Sequence, residues 1–471
     1  MSFNPSLNNL IKAPVATVFR RAFIKRRLLS NGLFESEWFD ISNYVKSYGK
    51  IVTQVDTSRR FKFTFSNAKI NVENEEGAFN PDDSPSSLWF GYLNQQRTLV
   101  KLEAGFRYTT EDAQGLKTTI EQPSEGGWDA ALWDTDDDQW DDVGSSTMFI
   151  GILSGDIPLS DKNDLALNLK PLVSVFQDFP AKNLTGWTST GFTASQFLTM
   201  VRDQVDVYGA YIFRPFFGDT TTNWEISATT NVYSNLNTST AADVIDKTVW
   251  EIIEKLAETE NFVPYITRDG IFKFISRTTL NSTTAYEFHG AGSFSSTYGH
   301  TIKTVDTYGF RISKYYSRIQ LKWRDTDSAT SYVIREANLE VAPTNNPWVL
   351  GVRTLSIENF YIPTVTVAET LADALFDDVS AYKKEIEFTT TFIPHLDLFD
   401  RVAVYYDPAE AQANSLWDQN NWADDATSTA QDLIFDAAVG DALILEGQEF
   451  KFLSMEIDLD NFQNRFVARE I

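Results

Sequence analysis

The stretch from Thr364 to Pro408 constrains this chain more than any other, because its hydrophobic period changes once, from helical to strand-like, within a single run. Leu371, Leu375 and Val379 recur every four residues, so they share one face of a helix, and that face must be buried. Thr366 and Glu369 stand at Thr-x-x-Glu spacing, a capping box that starts the helix near Val367 and lets it run to Tyr382. From Lys384 the period is two. Ile386, Phe388 and Thr390 alternate with Glu385, Glu387 and Thr389, as in a half-buried strand. Asp397 to Asp400 reads as a tight polar turn and RVAVYY as the next strand. A helix thus hands the chain to a sheet.

Period-two runs also dominate the other end. Phe61, Phe63 and Phe65 alternate with Arg60, Lys62 and Thr64; Val100, Leu102, Ala104 and Phe106 alternate with Lys101 and Glu103; Met148 to Leu153 supplies a further strand. Gly77, Pro81 and Pro85 punctuate a polar loop between them. Residues 34–160 are therefore expected to form a first β-barrel-like module. Residues 161–310 differ in character. Thr193 caps a helix with Phe197, Leu198, Val201 and Val205 on one face and Gly209 at its end. A second helix, about Asp246 to Glu260, buries Val249, Ile253, Leu256 and Ala257, and Asp269-Gly270 then sits between two alternating runs, a strong hairpin signal. Residues 311–383 hold the strand RIQLKWR and the 367–382 helix, an α+β connector. Phe450, Phe452, Met455, Ile457 and the run RFVARE make residues 384–471 a second β-barrel-like module. The expected fold is mostly β, with barrel-like modules at the two chain ends and α+β modules between.

Composition narrows the function. With 471 residues the chain exceeds one core, and two to four domains are expected at roughly 100–200 residues each. A formal net charge of -25 argues against wrapping nucleic acid, which needs cations to displace counterions. No cysteine is present, which excludes disulfides, thiolate nucleophiles and cysteine zinc sites. The three histidines, His289, His300 and His395, have no metal or triad spacing. No apolar run approaches the roughly 20 residues of a membrane span, and the first residues lack the pattern of a secretory signal. Residues 1–33 read instead as a basic arm. Arg20, Arg21, Lys25, Arg26 and Arg27 interleave there with Phe19, Phe23 and Ile24, suiting an arm docked on an acidic neighbour in its own chain or another subunit, or a nucleic-acid contact.

Two acidic, tryptophan-rich segments interrupt the β modules, at 121–146 and 414–425. Asp134, Asp136 and Asp138 fit positions one, three and five of a calcium loop, but Gln139 replaces the glycine and Ser145 the final glutamate. No metal or cofactor is expected. Glu73, Glu75 and Glu76, or Asp134 and Asp141, are conceivable carboxylate pairs for glycan hydrolysis, yet carboxylates are too plentiful for any pair to stand out. Trp128, Trp133, Trp140, Trp417 and Trp422 suit subunit contacts, with stacking platforms for a carbohydrate or receptor as the alternative.

The helix VAETLADALFDDVSAY, the strand KKEIEFTTTF, the turn after LDLFD and the strand RVAVYY together resemble the tail hub, or baseplate hub, proteins of tailed bacteriophages and gene transfer agents. The segments Thr248 to Ser276 and FDISNYVKSYG…INVENEEGAFNPD are similar as well, so the resemblance runs from about residue 34 to the end. Phe399-Asp400 departs from the Gly-Asp usual in that family's turn. The resemblance implies a structural, non-enzymatic virion protein at the tail tip. It implies a homotrimer whose paired barrels form a pseudo-sixfold collar, in contact with a distal tail protein, a tape-measure protein and a spike or fibre. DNA would pass through an acidic lumen without specific binding.

Overall fold

Alternating runs at both ends of the chain form two eight-stranded sheets, but strands do not sort between them by sequence position. The computed structural model describes residues 16–471 apart from 29–32, 57–61, 66–67, 75–76, 80–86, 91, 93–97, 112–116, 121–144, 155–163, 208, 219–221, 278–282, 291–292, 294–300, 311–315, 325–329, 337–351, 381–382 and 408–444. Its first sheet runs, in spatial order, Phe39–Asp40, Ala16–Lys25, Leu99–Glu111, Ser145–Ser154, Asp164–Pro171, Ala68–Glu73 and Val45–Ser47, with Lys117–Ile120 paired onto Leu99–Glu111. All its pairings are antiparallel. The second runs Thr284–His289, Arg401–Tyr406, Leu445–Asp458, Gln463–Glu470, Lys384–Thr391 and Ile302–Phe310. Its other two strands are Lys50–Asp56 and Lys62–Phe65.

Four assignments therefore differ from the sequence expectation. Lys50–Asp56 and Lys62–Phe65, expected in the first module, belong to the second sheet, where Lys50–Asp56 pairs with Ser454 to Asp458 of the last hairpin and with Lys62–Phe65. Thr284–His289 and Ile302–Phe310, expected in the middle module, form edges of the second sheet. Period-two alternation says that a strand has a buried face; it carries no information about a hydrogen-bonding partner hundreds of residues away. The long strand Leu445–Asp458 accommodates the exchange. Arg401–Tyr406 pairs along the first half of one edge and Lys50–Asp56 along the second half, while Gln463–Glu470 lies on the other side. Gly49, at φ 63°, makes the turn that lets the chain leave Val45–Ser47 for the second sheet, and a Cβ there would meet the Lys69 carbonyl oxygen at 2.7 Å.

The two sheets share one core. Ile24, Val100 and Leu102 of the first and Ile386, Phe388 and Phe452 of the second belong to a single buried cluster. A second core fills the middle of the chain around Phe176, whose ring lies 4.9 Å from Phe217 and 5.6 Å from Phe272, and Leu99 and Ile152 of the first sheet join it. Burial of such a ring contributes roughly 1.5–3 kcal/mol.

The middle helices follow their local signals. Val249–Glu260 starts at a reciprocal capping box between Thr248 and Glu251 and ends at Asn261 in the left-handed conformation; Phe262–Ile266 and Phe272–Ser276 then pair as the Asp269-Gly270 hairpin. Thr193 caps Ala194–Arg202 through a capping box with Gln196, but this helix stops at Arg202, so Val205 is exposed and Gly209 closes a later turn on Asp206.

Val365–Ser380 buries Leu371, Leu375 and Val379 as its period requires, together with Ala368 and Ala372. The face packs on Ile319, Leu321, Trp323 and Val333 of a separate three-stranded sheet built from Arg318–Arg324, Thr330–Glu336 and Thr354–Glu358. Its cap is Thr364, not Thr366: Thr364 Oγ1 accepts from Val367 N at 3.3 Å, and Thr364 O from Ala368 N at 3.1 Å. The hydroxyl needs only the amide three residues ahead, so the Glu of a capping box is dispensable here. No helix among the described residues is long and apolar enough to cross a membrane.

Candidate functional site at the junction of the two sheets

The segment Phe392 to Asp400 links Lys384–Thr391 to Arg401–Tyr406 and occupies the space between the two sheets. Its apolar residues, Phe392, Ile393, Leu396, Leu398 and Phe399, are buried. The expected turn is present, with Asp400 N donating to Asp397 O at 3.3 Å, but it is packed rather than solvated. Phe399 sits in it at φ 69°, a conformation costing a non-glycine residue about 1–2 kcal/mol. Its ring stands edge-on to Tyr265 of the hairpin, centroids 5.7 Å apart. Packing thus holds a residue where glycine would be conformationally easier.

Polar groups inside this junction are tied to the backbone. Asp400 Oδ2 accepts from Asp397 N at 2.8 Å, and Asp397 Oδ1 from Leu398 N at 2.8 Å. Arg268, at the hairpin tip, reaches across and donates from Nη1 to Pro394 O at 2.8 Å. Burial pushes the Asp400 carboxyl up to about 6 and raises that of Asp397, against the opposing pull of Arg268. Burial, aided by Arg268, pushes the His395 imidazole down to about 4. A cavity of about 40 Å³, bordered by Ile51, Met148, Leu172, Tyr265, Arg268 and Leu398, has room for water but not for a substrate. The arrangement can clamp two sheets and a hairpin together.

The basic stretch reinforces the clamp. Ala16–Lys25 is an inner strand of the first sheet rather than an appended arm, because its apolar residues Phe19, Ala22 and Ile24 are buried there. Each cation from Arg20 to Arg27 lies over a ring of this same chain: Arg20 over Tyr48, Arg21 over Phe19, Lys25 over Trp38, Arg26 over Tyr92 and Arg27 over Phe34. Arg26 is buried, forks onto Glu35 at 2.7 and 3.0 Å and donates to Leu88 O. Arg20 reaches the second sheet at Asp460.

Among the other sequence candidates, Glu73 pairs with Lys46 at 2.9 Å. His289 stacks on Tyr405 with centroids 4.5 Å apart. Trp128, Trp133, Trp140, Trp417 and Trp422, the carboxylates Glu75, Glu76, Asp134, Asp136, Asp138 and Asp141, and His300 lie outside the described residues. No group of three or more potential metal ligands occurs among the described residues. The junction residues Arg268 and Asp400 escaped sequence reading as site residues, since a buried ion cluster has no local signature; the one cue was the missing glycine at Phe399.

No family model and no curated protein matches the chain. Among solved structures, it is similar to the 43 kDa tail protein of prophage MuSo2 from Shewanella oneidensis, with a TM-score of 0.46, 10% identity, and 96% of this chain and 98% of that one covered. It is similar also to the prophage tail protein gp18 from Listeria monocytogenes EGD-e, with a TM-score of 0.45, 9% identity, and coverage of 95% and 94%. A chain of the native gene transfer agent particle matches with a TM-score of 0.28, 10% identity, and coverage of 90% and 85%.

Proposed function

We propose that this chain is a structural virion protein of a tailed bacteriophage or gene transfer agent, a hub subunit at the tail tip. The observation that carries the reading is the pair of eight-stranded sheets locked by a shared core, by the exchanged strand Lys50–Asp56 and by the Phe392 to Asp400 clamp. A subunit that transmits load between a tube above and a spike or fibre below needs its two ring-forming modules held at a fixed angle, and a shared core resists relative motion because packed interiors deform little. The hub would assemble as a homotrimer, with its sheets making a pseudo-sixfold collar around the DNA exit channel. A distal tail protein, a tape-measure protein and a spike or fibre are its proposed neighbours, and Trp128, Trp133, Trp140, Trp417 and Trp422 its proposed interface anchors. The sequence resemblance, strongest in the Thr364 to Pro408 stretch, supports the same reading.

The test is the mass of the purified chain in solution together with its projection in negative stain. Three times the chain mass and a threefold ring are expected; a monomer at all concentrations that binds glycans overturns the reading.

A further inference from the structure

Arg401, Lys451 and Arg469 stand directly abreast on three adjacent strands of the second sheet, on its outer face. Like charges placed directly opposite across strands destabilise a sheet, so this row calls for negative charge. Arg277 at the end of the hairpin and Lys383 after the helix add their fields at Lys451. Three acids lie nearby. Glu449 pairs with Arg401 and accepts from Thr284 Oγ1 at 3.1 Å, Glu385 is buried opposite Arg469, and Asp378 offers its backbone carbonyl oxygen to Arg469 at 3.2 Å while its charge acts on Lys451, so the five cations outnumber the acids. Lys451 itself is half-buried and makes no hydrogen bond or ion pair among the described residues. Burial, and after it the crowding by Arg277, Lys383 and Arg401, lower the ammonium below the usual lysine range against the opposing pull of Asp378.

We infer that the row Arg401–Lys451–Arg469 is a docking site for an extended, carboxylate-rich protein segment, with Lys451 as the cation that receives its central carboxylate. Charge complementarity selects the partner's class. Three strands span about 10 Å, a length that two or three alternate residues of an extended segment match. A half-buried row is reachable by single side chains. A nucleic-acid strand would have to approach a chain of net charge -25 along a much longer path. The inference does not rest on the tail-tip reading.

The probe is a fluorescein-labelled hexaglutamate peptide, titrated against the full chain by fluorescence anisotropy at low and high salt. Binding at low salt that weakens with salt is expected. Lys451→Gln and Arg469→Gln should each weaken it at least roughly tenfold, while Lys451→Gln leaves the thermal midpoint unchanged or higher because repulsion is relieved. Zero-length carbodiimide coupling of the peptide to the unaltered chain, mapped by mass spectrometry, should join it to Lys451 whatever the variants do. Absence of peptide binding, coupling only at other lysines, or tighter binding of oligothymidylate or inorganic phosphate than of the peptide overturns the proposal.

Discussion

Arg20 of the first sheet donates from one nitrogen to both Asp460 Oδ1, at 2.6 Å, and Leu459 O, at 2.8 Å, in the last turn of the second sheet. Asp460 is also the acceptor for the exit of the exchanged strand. Tyr48 N donates to its Oδ1 and Gly49 N to its Oδ2, each at 3.0 Å. The two partners are thus unequal. Arg20→Ala should cost about 1 kcal/mol, the usual value of a partly exposed charged hydrogen bond. Asp460→Ala should cost about 2–3 kcal/mol, since it strands two amides beside the buried Tyr48. Urea unfolding of both variants checks the order, and an Arg20→Ala loss equal to or larger than that of Asp460→Ala contradicts it.

Asp400 and His395 oppose each other in pH. The Asp400 carboxyl is raised to about 6 in the fold, so its contribution is fully present below the unfolded aspartate value and is lost as pH rises through 6. The His395 imidazole is lowered to about 4, so its contribution is present above the unfolded histidine value and is lost as pH falls toward 4. Between those limits the two slopes offset. Asp400→Asn keeps an oxygen for the Asp397 amide while removing the buried charge. It should raise stability near pH 7 by about 1–3 kcal/mol and leave a profile that falls steeply on acidification below pH 6. Thermal midpoints across this range, for both proteins, measure it; parallel profiles refute the compensation.

Phe399→Gly restores the residue that its backbone conformation favours, yet it should destabilise. Relief of positive φ is worth about 1–2 kcal/mol, whereas emptying a buried phenylalanine site costs about 3–5 kcal/mol. The net loss is expected at about 1–4 kcal/mol by denaturant titration, and a stabilised variant would show that the ring contributes little.

Asn359 is fully buried and its amide nitrogen donates to Lys255 O, Glu258 Oε2 and Thr259 Oγ1, all on Val249–Glu260, while its oxygen accepts from Tyr361 N at 3.0 Å. It joins the small three-stranded module to the middle of the chain. Asn359→Ala should cost about 2–4 kcal/mol through the stranded partners, and hydrogen exchange should rise first in Thr354–Glu358, the strand beside it.

Much of the local structure was legible in the residues where its cause was local. The Thr193 cap and the Asp269-Gly270 turn each act over a few positions, and each does what the sequence implies, while the capping boxes that complete Thr193 with Gln196 and Thr248 with Glu251 came from the structure. The buried face of Val365–Ser380 followed from its period, but its covering sheet did not, and the cap expected at Thr366 lies two residues earlier, at Thr364. Lys50–Asp56 was legible as a strand and illegible as a member of the second sheet. The cations from Arg20 to Arg27 looked like a contact surface because sequence shows charge but hides the rings and carboxylates that face it.

The exchanged strand also sets an order in time. Lys50–Asp56 is made about 400 residues before its partner, Ser454 to Asp458. At roughly 5–20 residues per second that is a wait of about 20–80 s with an edge unpaired. The second sheet cannot close before residue 458 has been made, so a nascent chain cut short anywhere before residue 454 carries a permanently open β edge, a template for aggregation.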